Sequence, residues 1–397
     1  MKTKLLSFIL VLFFIQQARG QAWIPQVSGG TQSFRDVKFV STTQGWVVGQ
    51  DFTILTTLDA GITWTPQSSG IVGPNFLYCM SFVSTTQGWI VGDYGSIITT
   101  VDGGVTWTPQ VSGLSSILTG VHFISATEGW ACGTTGKIIH TNDGGLTWNL
   151  QTSGTTALLY KVHFTSSTNG YVVGIYGIIY ATTDGGTTWT LQTSATANDL
   201  NDVSFVSPLQ GWTVGNGGTI RTTIDGGATW TAQTSGTLEN LYRVYFLNAL
   251  QGWSCGTNGT IITSIDGGIT WTPQTSGTTN FLAGINFVSP TEGWAIGHQG
   301  AILSFSTSVT TPELADENDI NVFPNPFSSE TTIKINESSS DIVVELYNSL
   351  GQKIKQLNNC SMGKVVLHRG DLQAGIYFIR VTQSNNVTET KRIVVTD

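Results

Sequence analysis

Two pairs of acids, Asp36 with Asp202 and Asp51 with Asp93, are the residues from which this 397-residue chain could assemble hydrolytic chemistry. Two carboxylates facing each other across a cleft can share the acid and base, or acid and nucleophile, work of glycoside hydrolysis. Three arginines, Arg35, Arg221 and Arg243, match by number what is needed to grip a carboxylate-bearing substrate. Neither acid pair has a recognisable motif around it, and Arg221 occupies a slot that holds Ile98, Ile139 and Ile262 elsewhere, so the arginine trio is not expected to converge. His122, His140 and His163 fall in separate repeats, and the cysteines lack zinc-ligand spacing, so no metal and no cofactor is expected.

The elements that must position these residues recur. Ser264-Ile265-Asp266-Gly267-Gly268-Ile269-Thr270-Trp271 has near copies around Asp59, Asp102, Asp143, Asp184 and Asp225. An apolar, threonine-rich run before each Asp-Gly-Gly and Thr-Trp-Thr after it read as two strands joined by a tight turn. The carboxylate can accept N–H bonds across the turn while glycine supplies positive φ, so these six aspartates are read as structural. A second landmark, Gly-Trp, occurs at Trp46, Trp89, Trp130, Trp212, Trp253 and Trp294, with Tyr171 in the same slot, in steps of 43 and then five of 41. The phenylalanine of Val-x-Phe keeps the same step at Phe39, Phe82, Phe123, Phe164, Phe205, Phe246 and Phe287.

Four short strands in a period near 41 predict an all-β, seven-bladed β-propeller with Asp-box turns over residues 21–308. In the fifth unit the strands are expected at Val203–Val206, Gly211–Val214, Gly218–Thr223 and Thr229–Gln233. The seventh unit has no Asp-Gly-Gly and lacks its outer strand; Trp23-Ile24-Pro25-Gln26 matches Trp64-Thr65-Pro66-Gln67 one step on. The N-terminal strand is therefore predicted to complete the last blade, which closes the ring and removes an open sheet edge.

Before it, Lys2 and Lys4, the apolar run Leu5–Ile15 and Ala18-Arg19-Gly20 read as a secretory signal over residues 1–20. No later run is long enough to span a bilayer. The formal charge of −8, with charged residues at only 11%, gives no basic face for nucleic acid. Cys132 and Cys255 take a strand slot held elsewhere by valine or isoleucine, Cys79 begins an inner strand and Cys360 lies in another domain, so no disulfide framework is expected. Residues 309–319 break the period and are polar and acidic, as a linker is. From 320 to 397 tryptophan vanishes and alternating runs predict a small β-sandwich.

That tail resembles the type A C-terminal sorting domain of type IX secretion in Bacteroidetes, through Phe323-Pro324-Asn325-Pro326, Leu346-Tyr347-Asn348-Ser349-Leu350-Gly351, Leu372-Gln373-Ala374-Gly375-Ile376-Tyr377 and Lys391-Arg392-Ile393-Val394-Val395. The resemblance implies passage across both membranes, with the type IX translocon as the tail's partner and the tail commonly removed. The propeller resembles the photosystem II stability and assembly factor family, whose blades carry the same Gly-Trp and Asp-Gly-Gly-x-Thr-Trp pairs. Sialidases and xyloglucan hydrolases are similar at the Asp motif, but no Arg-Ile-Pro segment is present. Family members bind partners through a basic face, whereas this propeller has only Arg35, Lys38, Lys137, Lys161, Arg221 and Arg243.

Ligands of propellers sit on the face of the loops around the central channel. There the slot three residues before the landmark phenylalanine holds Asp36, Cys79, Gly120, Lys161, Asp202, Arg243 and Gly284, expected to ring the channel mouth. Asp51, Asp93, Tyr94, Tyr176 and His298 are their expected neighbours, with Arg35 beside Asp36. The sequence thus predicts a secreted or surface-displayed, monomeric binding or scaffold module for protein or glycan. An exo-acting glycoside hydrolase is the alternative.

Overall fold

The computed structural model describes residues 22–306, except 72 and 74, and residues 320–396, except 326, 336–342, 349–351, 358–363 and 383–387. The expected signal segment and linker lie outside the described residues. The chain divides at 309/310 into two compact units.

The first unit is seven four-stranded antiparallel sheets arranged as a propeller. In the first blade the strands run from inside to outside as Phe34–Phe39, Gly45–Gly49, Ile54–Thr57 and Thr65–Gln67. The seventh combines Leu282–Ser289, Glu292–Gly297 and Ile302–Ser306 with Ala22–Gln26, whose Trp23 pairs with Phe305. The N-terminal strand thus closes the ring.

One aromatic contact repeats at every blade boundary. The tryptophan of each second strand stacks on the landmark phenylalanine of the next blade: Trp89 on Phe123 at 3.5 Å, Trp212 on Phe246 at 3.4 Å, and, across the closure, Trp294 on Phe39 at 3.4 Å. Tyr171 fills the slot in blade four and stacks on Phe205 at 4.0 Å. The Asp-box indole meets the same phenylalanine edge-on, as Trp271 does Phe246 at 5.7 Å. Each phenylalanine therefore gains a face-to-face and a perpendicular partner, of which the perpendicular one is the arrangement the ring quadrupole favours and the other adds buried apolar area. The glycine before each tryptophan is required by this packing, since a Cβ at Gly252 would lie 2.6 Å from the Phe246 ring.

The Asp-box carboxylates are consumed by their own turns. Asp143 Oδ1 accepts the Thr147 N–H at 2.9 Å and the Thr141 hydroxyl at 2.8 Å, while Oδ2 accepts the Thr147 hydroxyl at 2.6 Å. The same bonds recur at Asp59, Asp102, Asp184, Asp225 and Asp266. Hydrogen bonds to the charged form hold the Asp102 and Asp143 carboxyls down at about 2, with the threonine hydroxyl after the turn the largest cause. Replacing Asp143 with Ala is expected to speed amide exchange of Thr147 by about tenfold while exchange in the distant blades is unchanged. Uniform loss of protection across all blades would show instead that this turn unfolds only with the whole ring.

The expected strand bounds are corrected at both ends of the fifth blade. Its inner strand runs Leu200–Phe205, three residues earlier than predicted, because a β-bulge between Leu200 and Asp202 interrupts the alternation. Its outer strand begins at Thr231, because Thr229 is still bonded to Asp225.

The second unit is a β-sandwich. One sheet contains Ile320–Phe323, Glu330–Ile335 and Lys364–His368; the other contains Lys353–Leu357, Val343–Asn348, Gly375–Thr382 and Thr388–Val395. Ile333, Leu346, Leu367, Ile379 and Ile393 are fully buried between them. Among the described residues, no helix is long and apolar enough to cross a membrane.

Candidate functional site

The inner strand of each blade faces the central channel, and its bulge decides which side chains meet there. All seven inner strands carry the irregularity immediately before the variable slot. A bulge sets two residues against one on the partner strand, so consecutive side chains leave the alternating pattern. The residue before the slot then reaches the mouth, and the slot residue lies one layer deeper. This relocates the predicted ring: Asp36 and Asp202 are only 7% and 3% exposed, inside the channel rather than around its mouth.

The mouth is built by the preceding slot, which includes Arg35, Tyr78, Tyr160, Asn201 and Tyr242. With Phe281 and the side of Arg243 they line a mostly apolar cavity of about 280 Å³. The Arg35 guanidinium lies 4.9 Å from the Phe76 ring centre and 6.0 Å from that of Tyr78. Burial raises the Tyr78 hydroxyl to about 12, with Asp93 adding to the effect. Burial also lowers the Arg35 pKa.

Below the mouth, Asp36, Lys161, Asp202 and Arg243 meet in a second cavity of about 310 Å³, which Lys38, His122 and His163 also line. Both carboxylates cap the free edge of the next blade's inner strand: Asp36 Oδ2 accepts the Met80 N–H at 2.8 Å, and Asp202 Oδ2 the Val244 N–H at 2.9 Å. These N–H groups would otherwise be buried without a partner, at a cost comparable to a lost hydrogen bond. Asp202 Oδ1 has no hydrogen-bond partner. Arg243 Nε is 3.8 Å from Asp36 Oδ1. Burial opposes the Arg243 charge, but Asp36 and Asp202 outweigh it and raise its pKa. Burial raises the Asp202 pKa despite Lys161 and Arg243.

Lys161 Nζ lies 3.0 Å from Cys79 Sγ, a contact between blades two and four. Burial pushes the Cys79 thiol up against the pull of Lys161, and the Lys161 pKa is raised because Cys79 and Asp36 more than offset its own desolvation. Cys79 is therefore inside its strand and in the channel wall, not at the strand's start. Cys132 and Cys255 are buried free thiols.

The expectation that the three histidines lie in separate blades is overturned, since His122 and His140 share the sheet of blade three, and only His163 lies in another, the adjacent one. His122 and His163 stack at 4.6 Å, because equivalent slots of adjacent inner strands are neighbours around the channel. His140 instead stacks on Trp130 and lies 3.6 Å from Glu128. Among the described residues, no group of three or more metal-ligating side chains could hold an ion.

The loop residues do not converge as a set. Asp93 accepts the Phe76 N–H at 2.9 Å and lies beside Tyr78, and His298 contacts Phe281 at 4.4 Å, so both buttress the mouth from behind. Tyr94 and Tyr176 are 69% and 73% exposed, and Asp51 is exposed as well. All three have positive φ at the tips of their loops. Arg221 donates to the Ser194 and Ala195 carbonyls, away from the other arginines. Tyr78, Tyr160 and Tyr242 are absent from the predicted site, and their recurrence as three aromatics in one repeat slot is the signal that marks them.

The family described as photosynthesis system II assembly factor YCF48 matches residues 15–108, 73–152 and 233–306. A secretion system C-terminal sorting domain matches residues 321–396. Among solved structures, YCF48 bound to a D1 peptide is 22% identical, with a TM-score of 0.62 over 74% of this chain and 99% of that one. YCF48 from Cyanidioschyzon merolae is 20% identical, with a TM-score of 0.62 over 72% and 99%. The GH74 enzyme of Niastella koreensis is 14% identical, with a TM-score of 0.61 over 95% and 74%. These likenesses show the propeller fold. An endo-acting ulvan lyase of Formosa agariphila is 32% identical over 85 residues, 20% of this chain and only 16% of that protein. The sorting domain marks the protein for type IX secretion to the cell surface or the extracellular space. The YCF48 matches span more than half of the sequence, and the chain belongs to the photosynthesis system II assembly factor YCF48 family, with a secretion sorting domain following its propeller.

Proposed function

We propose that this protein is a secreted, non-catalytic recognition module that takes a segment of a partner protein into the mouth of its propeller. The carrying observation is the mouth itself: three tyrosines and Phe281 around about 280 Å³, with Arg35 in the wall and Arg243 at the floor. Rigid aromatics with a small number of placed polar groups suit recognition, because they offer apolar area and orientation at little entropic cost. A peptide occupant is further supported by the similar propeller solved with a D1 peptide.

Glycoside hydrolysis fits the geometry less well. Asp36 and Asp202 are buried below the mouth and each caps a neighbouring strand. A hydrolase needs its two carboxyl groups to flank a glycosidic bond.

The test is titration of the full secreted chain with peptide and glycan libraries, with product release followed in the same samples. Saturable peptide binding without turnover is expected. Tyr160→Ala with Tyr242→Ala should weaken it at least about tenfold while the fold is retained. Glycan turnover that disappears in Asp36→Asn and Asp202→Asn would replace this reading with the enzymatic one.

A further inference from the structure

We propose that the channel below the mouth binds a small oxyanion of the phosphate or sulfate type, held by the ammonium groups of Lys38 and Lys161. This site is separate from partner recognition at the mouth and does not depend on it.

The channel's charges are unevenly paired. Its wall carries three cations, Lys38, Lys161 and Arg243, against two carboxylates, Asp36 and Asp202. Three of the four carboxylate oxygens already have partners of their own, and Asp202 Oδ1 does not. Asp36 accepts the Val37 and Met80 N–H groups and faces Arg243; Asp202 accepts the Val244 N–H. Lys161 is hydrogen-bonded to the Cys79 sulfur, a weak acceptor. Lys38 makes no side-chain hydrogen bond or ion pair with any described residue. Two ammonium groups thus share the channel, and the Lys38 pKa is lowered by burial, with Lys161 adding to the effect against the pull of Asp36. Buried charges persist when they are paired, so this arrangement calls for an anion between them.

The remaining wall supplies donors, with Asp202 Oδ1 as its one carboxylate oxygen without a hydrogen-bond partner. His122 Nδ1 accepts the Phe164 N–H at 3.1 Å, so the proton of this neutral ring sits on Nε2 as a donor. Ser204 and Tyr245 add hydroxyls that can turn toward an oxyanion. The cavity of about 310 Å³ is roughly ten times the volume share of one water, room enough for an oxyanion with part of its hydration. Several donors spread around a cavity favour a multi-oxygen anion over chloride.

The experiment is thermal unfolding of the full chain in sodium phosphate and, separately, sodium sulfate, with ionic strength held constant by sodium chloride. The expected result is a melting temperature that rises by about 3 °C or more and levels off, as binding to the folded state alone requires. Lys161→Met and Lys38→Met should each abolish the rise, and Lys137→Met, outside the channel, should keep it. In oxyanion-free buffer, Lys38→Met should melt as high as the parent or higher, because it removes a half-buried charge that has no hydrogen bond or ion pair with any described residue. A rise that does not saturate, or one that survives both channel variants, would overturn the site. So would a Lys38→Met protein that melts lower than the parent without oxyanion, which would make this lysine a structural cation.

Discussion

A chain that begins after residue 30 is expected to lose the cooperative melting of its propeller and to self-associate, although it still contains every inner strand. Residues 22–26 form the outer strand of blade seven, paired along its length with Ile302–Ser306. Without them, that strand becomes an unprotected sheet edge, a template for pairing with other chains. Trp23 contributes most of the local packing. Its ring sits 5.1 Å from Phe305 and 5.8 Å from Phe287, and its Nε1 donates to Gln274 Oε1 of blade six at 2.9 Å. Trp23→Ala alone should therefore cost about 3–5 kcal/mol, by analogy with other buried tryptophans. In a unit of this size that is about 5–8 °C of melting temperature. Calorimetry of the truncated and substituted chains, beside light scattering for association, measures both effects. Adding back a peptide of residues 21–30 should restore part of the lost stability. A truncated chain that melts like the parent would mean that the Trp294–Phe39 stack closes the ring without the strand. The expected signal cleavage before Gln21 falls just ahead of this element, and a cut three residues later would remove Trp23.

The architecture was legible because it is repeated. A step of 41 in Gly-Trp, in Val-x-Phe and in the Asp box fixes blade number and register, and the Trp23 segment reads as the missing strand from the same arithmetic. The sorting domain was legible from short motifs. The site was legible only in part, for a physical reason. Sequence alternation has a period of two, but every inner strand is bulged beside the variable slot, so residue order alone does not say which side chain faces the mouth and which the channel. Asp36, Lys161, Asp202 and Arg243 were recognised as a ring and placed one layer too high. The tyrosines that do form the mouth passed as strand residues. The His122–His163 stack was missed because different blades were taken to mean distance, whereas adjacent inner strands bring equal slots together around a narrow axis.

That histidine pair makes the propeller's stability depend on pH above the range in which carboxylates titrate. Burial, with Lys161 and Lys38 nearby, lowers the His163 pKa to about 3, and burial and His163 itself lower that of His122 well below the usual value. In the unfolded chain both rings would take up protons near pH 6.5. Between those limits the unfolded state binds more protons than the folded one, so stability rises with pH. The contribution is fully present above about pH 6.5 and is lost as pH falls toward 3. Protonating His122 would also remove the acceptor that Phe164 N–H requires. Allowing for solvent in the channel, the two rings together should cost on the order of 3 kcal/mol between pH 7 and pH 5. The Asp-box carboxylates act in the same direction but only below about pH 4, so the two effects separate on the pH axis. The chain supplies its own replacements. The same slot holds Asn286, whose Oδ1 accepts Phe39 N–H at 2.8 Å, and Ser81, whose hydroxyl accepts Phe123 N–H at 3.0 Å. A His122→Asn, His163→Ser chain should therefore fold at pH 7 with its inner-strand edge still capped, and its urea midpoint should change little from pH 7 to pH 5 while the parent's falls. An equal fall in both chains would place the acid sensitivity elsewhere, and Asp36 and Asp202 would be the next groups to substitute.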